Sequence, residues 1–134
     1  MNRRRRRSAF TLVEVLLVLA ILVILGAMVG VGVIQMKKAA DKRAARAQVG
    51  MFESAINLYR LDVGQFPESL EDLRVAPQLK NPDKWNGPYL QKEIPADPWQ
   101  NHYQYEAQGD DFRVWSSGPD GADGSGDDID NKKS

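Results

Sequence analysis

A chain of 134 residues in which 43% are hydrophobic leaves room for one small domain and little else. Its 18 basic residues balance 18 acidic ones, it has no cysteine, and His102 is its single histidine. These counts exclude a disulfide framework, a thiolate metal centre, a cysteine nucleophile and a multi-histidine metal site, and no nucleophile-elbow glycine pattern accompanies His102.

The balance of charge conceals an uneven distribution. Arg3 to Arg7 are consecutive arginines, and they precede Val15 to Ile34, a block without a charged or strongly polar residue. Such a leader has the composition of a cytoplasmic n-region. Neither interleaved aromatics nor a recognition helix accompanies it, so nucleic acid is not an expected partner. Twenty residues of helix rise about 30 Å, the thickness of a bilayer's hydrocarbon core. The block also lacks the polar stripe of a helix packed in a soluble protein. A membrane-spanning helix follows. Lys37, Lys38, Lys42, Arg43 and Arg46 lie beyond it and match the leader's count, so charge alone does not orient the span; the compactness of the leader favours it as the inner end. Gly26 and Gly30 form a small-xxx-small pair that permits close helix approach. Glu14 stands at the head of the apolar run, where a carboxylate in lipid costs about 2.5–3.5 kcal/mol and needs a partner.

From Gln35 the chain is rich in Ala, Lys, Arg and Gln, all good helix formers. Val49, Phe52, Ile56, Tyr59 and Val63 recur at spacings of 3 and 4, which puts them on one helix face. A single helix of about fifty residues is predicted, its first part in lipid and its second packed on a head. Gly50 weakens it by about 1 kcal/mol relative to Ala, and Gly64 and Pro67 stop it. The prolines that follow preclude another long helix. A helical turn is expected over 67–73, and strands over 102–107 and 111–116 with a turn at Gln108, Gly109 and Asp110. In the second strand Phe112 and Val114 alternate with Arg113 and Trp115, and a weaker third strand is expected around 89–94. Seven aspartates follow residue 109. Asp120, Asp127 and Asp128 are hard oxygen donors, and Gly118, Gly121, Gly124 and Gly126 allow tight backbone turns. This tail is not an EF-hand. Residue chemistry alone leaves two readings, a cation-binding loop or a solvated acidic segment.

Ser8-Ala9-Phe10-Thr11-Leu12-Val13-Glu14 resembles the processing site of prepilins, with Ala9 standing where that family carries Gly. The resemblance implies that a prepilin peptidase removes residues 1–9 by cutting between Ala9 and Phe10, and that the Phe10 amine becomes N-methylated. It also implies that Glu14 pairs with the N-terminus of a neighbouring subunit during assembly. Loss of Arg3 to Arg7 would leave an acidic chain.

The head carries a second resemblance. Tyr59-Arg60-Leu61-Asp62-Val63-Gly64-Gln65-Phe66-Pro67, Trp85-Asn86-Gly87-Pro88-Tyr89-Leu90, Ile94-Pro95-Ala96-Asp97-Pro98-Trp99, Tyr103-Gln104-Tyr105 and Ser116-Ser117-Gly118-Pro119-Asp120-Gly121, then Asp127-Asp128-Ile129, are similar to the major pseudopilins of type II secretion systems. That family implies an α+β pilin-like fold, in which the second half of a long N-terminal helix packs on a small three-stranded antiparallel sheet. It divides the chain into a removed leader (1–9), a transmembrane and assembly helix (10–34) and a periplasmic head with an acidic tail (35–134). It implies calcium in the tail, held by Asp120, Asp127 and Asp128 with the backbone carbonyls of Ser117 and Ser125. The expected function is that of a structural subunit, not an enzyme, in a periplasmic pseudopilus driving protein export. Expected partners are copies of itself in a helical filament, minor pseudopilins, the inner-membrane assembly platform, the prepilin peptidase and the membrane. The expected location is the bacterial inner membrane, single-pass, N-terminus cytoplasmic and head periplasmic. A type IV pilus or DNA-uptake filament subunit is the alternative, although such pilins commonly close a C-terminal loop with a cysteine pair. An anchored calcium-binding module that never assembles is the third reading.

Overall fold

The computed structural model describes residues 10–132, which begin with one helix, α1, spanning Leu12–Val63. No proline interrupts α1, and it ends where Gly64 takes a φ of 89° and donates its N–H to the Arg60 carbonyl at 2.8 Å. By its internal packing the chain divides into two units, 1–38 and 39–134. Within the first, the apolar side chains of α1 stand exposed, Leu12, Leu17, Met28 and Ile34 among them. The helix is long and apolar enough here to cross a membrane, and none of that stretch is buried.

In the second unit one face of α1 supplies half the core. Ala45, Val49, Phe52, Ala55, Ile56 and Tyr59 are buried there with Leu70, Leu73, Tyr103, Phe112, Val114 and Ile129. The 3- and 4-residue spacing predicted this face; Val63, at its end, is partly buried. Phe52 meets Tyr103 edge-on at 5.0 Å between ring centroids.

The sheet has three antiparallel strands in the order β1 (Gln104–Gln108), β2 (Asp111–Ser116) and β3 (Ile129–Asp130). β1 pairs with β2 in a hairpin that aligns Gln104 with Trp115 and Gln108 with Asp111. Gly109 and Asp110 alone connect them, Gly109 at a φ of 60°. β3 pairs on the other side of β2, with Trp115 opposite Asp130 and Ser116 opposite Ile129.

Three expectations about elements need correction. The strand expected from His102 begins at Gln104, so Tyr103 packs on α1 from just outside the sheet. No strand forms over 89–94, because the N–H groups of Tyr89 and Leu90 both donate to the Leu73 carbonyl, at 2.7 and 3.1 Å. The third strand is instead Ile129–Asp130, inside the segment expected to be a loop. The helical turn is a 3₁₀ turn at Leu70–Leu73, and a second covers Pro82–Lys84.

Candidate functional site

Two regions carry chemistry. At the start of α1, Phe10 is exposed and Thr11 caps the helix: the Glu14 N–H donates to the Thr11 carbonyl at 3.1 Å and to its hydroxyl Oγ1 at 3.2 Å. Thr11 and Glu14 have the spacing of a capping box, a signal in the sequence that the processing motif overshadowed. The Glu14 side chain is exposed and makes no ion pair among the described residues. A carboxylate in a first helical turn is favoured by the helix dipole. Ala9 and the scissile junction it forms lie outside the described residues.

The second region begins at Asp97. Its side chain is buried and accepts the N–H groups of Trp99 and Asn101 on Oδ1, at 3.0 and 2.8 Å. Its Oδ2 accepts the Ser116 hydroxyl at 2.5 Å, and Ser116 Oγ accepts the Gly118 N–H at 3.1 Å. One carboxylate thus ties the Asp-Pro-Trp turn to the end of β2 and the start of the acidic loop. Asp-Pro signals a turn in sequence, but nothing in the sequence shows that its free oxygen reaches Ser116.

The loop then turns tightly. Gly118 has a φ of 71°, and a β-carbon on it would lie 2.7 Å from the Asp127 carbonyl oxygen and 3.0 Å from Asp127 Oδ2. The two ends of the loop therefore touch at Gly118 and Asp127. Ser125 donates its hydroxyl to Asp127 Oδ1, and the Asp128 N–H donates to the Ser125 carbonyl at 3.4 Å. The Ser125 hydroxyl, its own and Asp120's backbone N–H groups, and more remotely Lys42, together hold Asp127 below the usual carboxylate range. Asp120 is exposed and accepts the Ala122 N–H at 2.9 Å. Asp128 is buried; its Oδ2 accepts the Gly124 N–H at 2.9 Å and pairs with Arg113 Nη2 at 3.0 Å. Its Oδ1 has no hydrogen-bond partner among the described residues.

Arg113 is the residue that sequence reasoning passed over. Beside its bond to Asp128, its Nε lies 3.3 Å from Asp130 Oδ2 and its Nη1 3.4 Å from Asp123 Oδ1. Its guanidinium carbon sits 4.2 Å from the centroid of Trp115. Burial opposes the charge on Arg113, but the Asp128 hydrogen bond and the Asp130 and Asp123 carboxylates prevail and raise its pKa. Trp115, placed by alternation on the face away from the core, is buried as well, with the Arg113 guanidinium lying over its ring.

Among the described residues, no three acidic or imidazole side chains gather as a metal-binding group. Asp127, Asp128, Ser125 and the Ser117–Gly118 segment are brought together, whereas the Asp120 side chain is exposed and accepts the Ala122 N–H, and Asp120 reaches Asp127 through its backbone N–H. Two observations fit a hard cation nonetheless. Asp128 Oδ1 is a buried anionic oxygen without a donor, which costs about 1–3 kcal/mol. The loop also turns through left-handed glycines, and at Gly118 it approaches the Asp127 carbonyl oxygen so closely that a β-carbon would lie 2.7 Å from it.

A long helix with a bare apolar first half, a small antiparallel head and a terminal acidic loop define a pilin-like subunit. The family model described as type II secretion system (T2SS), protein G matches residues 32–132, and that of the prokaryotic N-terminal methylation motif matches residues 4–30. The chain is 35% identical to the type II secretion system core protein G of Vibrio cholerae, over 98% of this chain and 95% of that one. With the core protein G of Pseudomonas aeruginosa it shares 35% identity over 93% and 92%, and with that of Escherichia coli K12 34% over 98% and 94%. A crystal structure of the major pseudopilin from the type 2 secretion system of enterohaemorrhagic Escherichia coli superposes with a TM-score of 0.62 at 31% identity, covering 72% of this chain and 87% of that one. The chain belongs to the type II secretion protein G family. It is a structural pseudopilin subunit and not an enzyme.

Proposed function

We propose that this chain waits in the inner membrane with its leader cytoplasmic and its head periplasmic, and then polymerises with copies of itself into the pseudopilus that drives export. Minor pseudopilins and the inner-membrane platform are the partners that assembly requires. The observation that carries this reading is Glu14, an exposed carboxylate in the first turn of a helix whose first half is otherwise bare and apolar. A new amine at Phe10 of one subunit and the Glu14 anion of another would neutralise each other in lipid, where each alone is costly. Glu14→Ala should therefore stay membrane-inserted, because it removes a penalty, yet lose filament growth. Pelleting of sheared filaments beside membrane fractionation reads both, and undiminished polymerisation of the variant would refute the pairing.

The Ala9–Phe10 junction and the match to the methylation motif support removal of residues 1–9 by a prepilin peptidase. Mass spectrometry of the membrane-purified protein should find a chain starting at Phe10 with a methylated amine; recovery of only the intact precursor from cells with active peptidase would exclude this.

Calcium is the cofactor this reading adds. Asp127, Asp128 and Asp120 would hold it with the carbonyls of Ser117 and Ser125, and the unpartnered Asp128 Oδ1 supports that assignment. When bound, the ion supplies charge neutralisation to crowded carboxylates and stabilises the folded head by linkage. Thermal melting with calcium and with excess chelator tests it, and an unchanged Tm, also in Asp127→Ala, would refute it.

A further inference from the structure

Alternation along β2 points Arg113 away from the core, onto a face that would be solvent if the loop were absent. In the folded head that guanidinium meets three carboxylates from the loop and β3: Asp128 at 3.0 Å, Asp130 at 3.3 Å and Asp123 at 3.4 Å. The side chains of Asp128 and Asp130 are only 1% and 5% exposed, whereas that of Arg113 is 31% exposed. Two carboxylates so deeply buried are strongly unfavourable unless donors or a cation lie against them, and Arg113 supplies both to Asp128 and Asp130. The guanidinium plane is also fixed from beneath by Trp115, at 4.2 Å, so little freedom remains to be lost when the loop docks.

We propose that Arg113 is a built-in cation that closes the acidic loop over β2 without a metal, so that calcium tightens a loop already shut. Only the part concerning calcium rests on the function proposed above; closure by Arg113 stands apart from it. Arg113 and the Gly124 N–H occupy one oxygen of Asp128, and the other is without a partner, so the guanidinium leaves Asp128 free to serve a second cation. Arg113 is thus a positioning residue for the loop.

The test is amide hydrogen exchange of the full chain in detergent micelles, followed over peptides covering 117–131, with millimolar calcium and with excess chelator. The wild type should keep the loop protected in chelator. Arg113→Gln should speed loop exchange in chelator by about tenfold or more, a figure discounted for the partial exposure of the pair. Calcium should restore much of that loss. Arg113→Lys keeps the charge but not the fork, and should fall between the two. Peptides from α1 over 49–59 report whether the head itself stays folded. If Arg113→Gln loosens them as well, Asp130→Asn decides, since it removes one partner and leaves the arginine: faster loop exchange in chelator over an intact α1 supports the proposal, and unchanged exchange overturns it. Wild-type loop exchange in chelator as fast as that of Arg113→Gln would overturn it too, because metal alone would then close the loop. A loop protected equally with and without calcium, but opened by Arg113→Gln, would keep the role of Arg113 and remove the calcium reading.

Discussion

Asp97 accepts three hydrogen bonds while buried, and no cation pairs with it among the described residues. Removing that acceptor strands two backbone N–H groups and a hydroxyl at the root of the loop. Asp97→Ala should cost about 2–3 kcal/mol, and at about 4–8 °C per kcal/mol lower the Tm of the head by some ten degrees or more. Asp97→Asn keeps acceptors on one side and should cost roughly half as much. A melt of Asp97→Ala within two or three degrees of the wild type, about 0.5 kcal/mol, would contradict this. Gly118→Ala combines a left-handed backbone with a β-carbon 2.7 Å from a carbonyl oxygen, and should destabilise by about 1–3 kcal/mol. The same melts check it. At this scale the sequence was readable in types and not in partners. The aspartates and glycines announced an acidic turning loop, but Arg113 read as a surface strand residue because its three partners lie on a segment that only tertiary docking brings to it.

Among elements, α1 was the most legible, since a 3- and 4-residue period over Val49 to Tyr59 has one structural solution and those residues are buried. Phe52→Ala should cost about 3–5 kcal/mol, because its fully buried ring would leave a cavity against Tyr103, and denaturant unfolding reads the loss. β3 was invisible for the opposite reason: two residues carry no period, and their pairing with β2 depends on a distant register. The contact of α1 with the sheet also has a pH signature. Burial first, then the nearby Asp97, pushes the Tyr103 phenol up to about 12, and burial first, then Asp72 and Tyr59, does the same to Tyr105. A phenol raised above its unfolded value near 10 favours the native state fully below pH 10, and that contribution is lost as pH climbs from 10 towards 12. Tyrosinate absorbance and far-ultraviolet circular dichroism should therefore change together in that window. Tyrosines that all ionise near pH 10 with the helix signal intact would show the rings to be accessible.

On the scale of the molecule, every residue of the core lies at or beyond Ala45, inside the second unit. A fragment covering 39–134 should accordingly remain soluble and melt cooperatively, checked by calorimetry; a broad, non-cooperative transition would mean that the head needs its apolar helix. The order of pairing in the sheet has a further consequence, for the path by which the head is made. β1 and β2 meet across Gly109 and Asp110 alone, and such a local hairpin closes within microseconds. β3 reaches β2 only after the whole of 117–128 has been laid down and looped back, a closure that costs more entropy and comes later. As the head folds, the hairpin is complete before the strand that pairs with the other edge of β2 has arrived. Until it does, the backbone of β2 at Trp115 and Ser116 lacks its partner, and the folding head offers β2 as an open edge to any strand that arrives first.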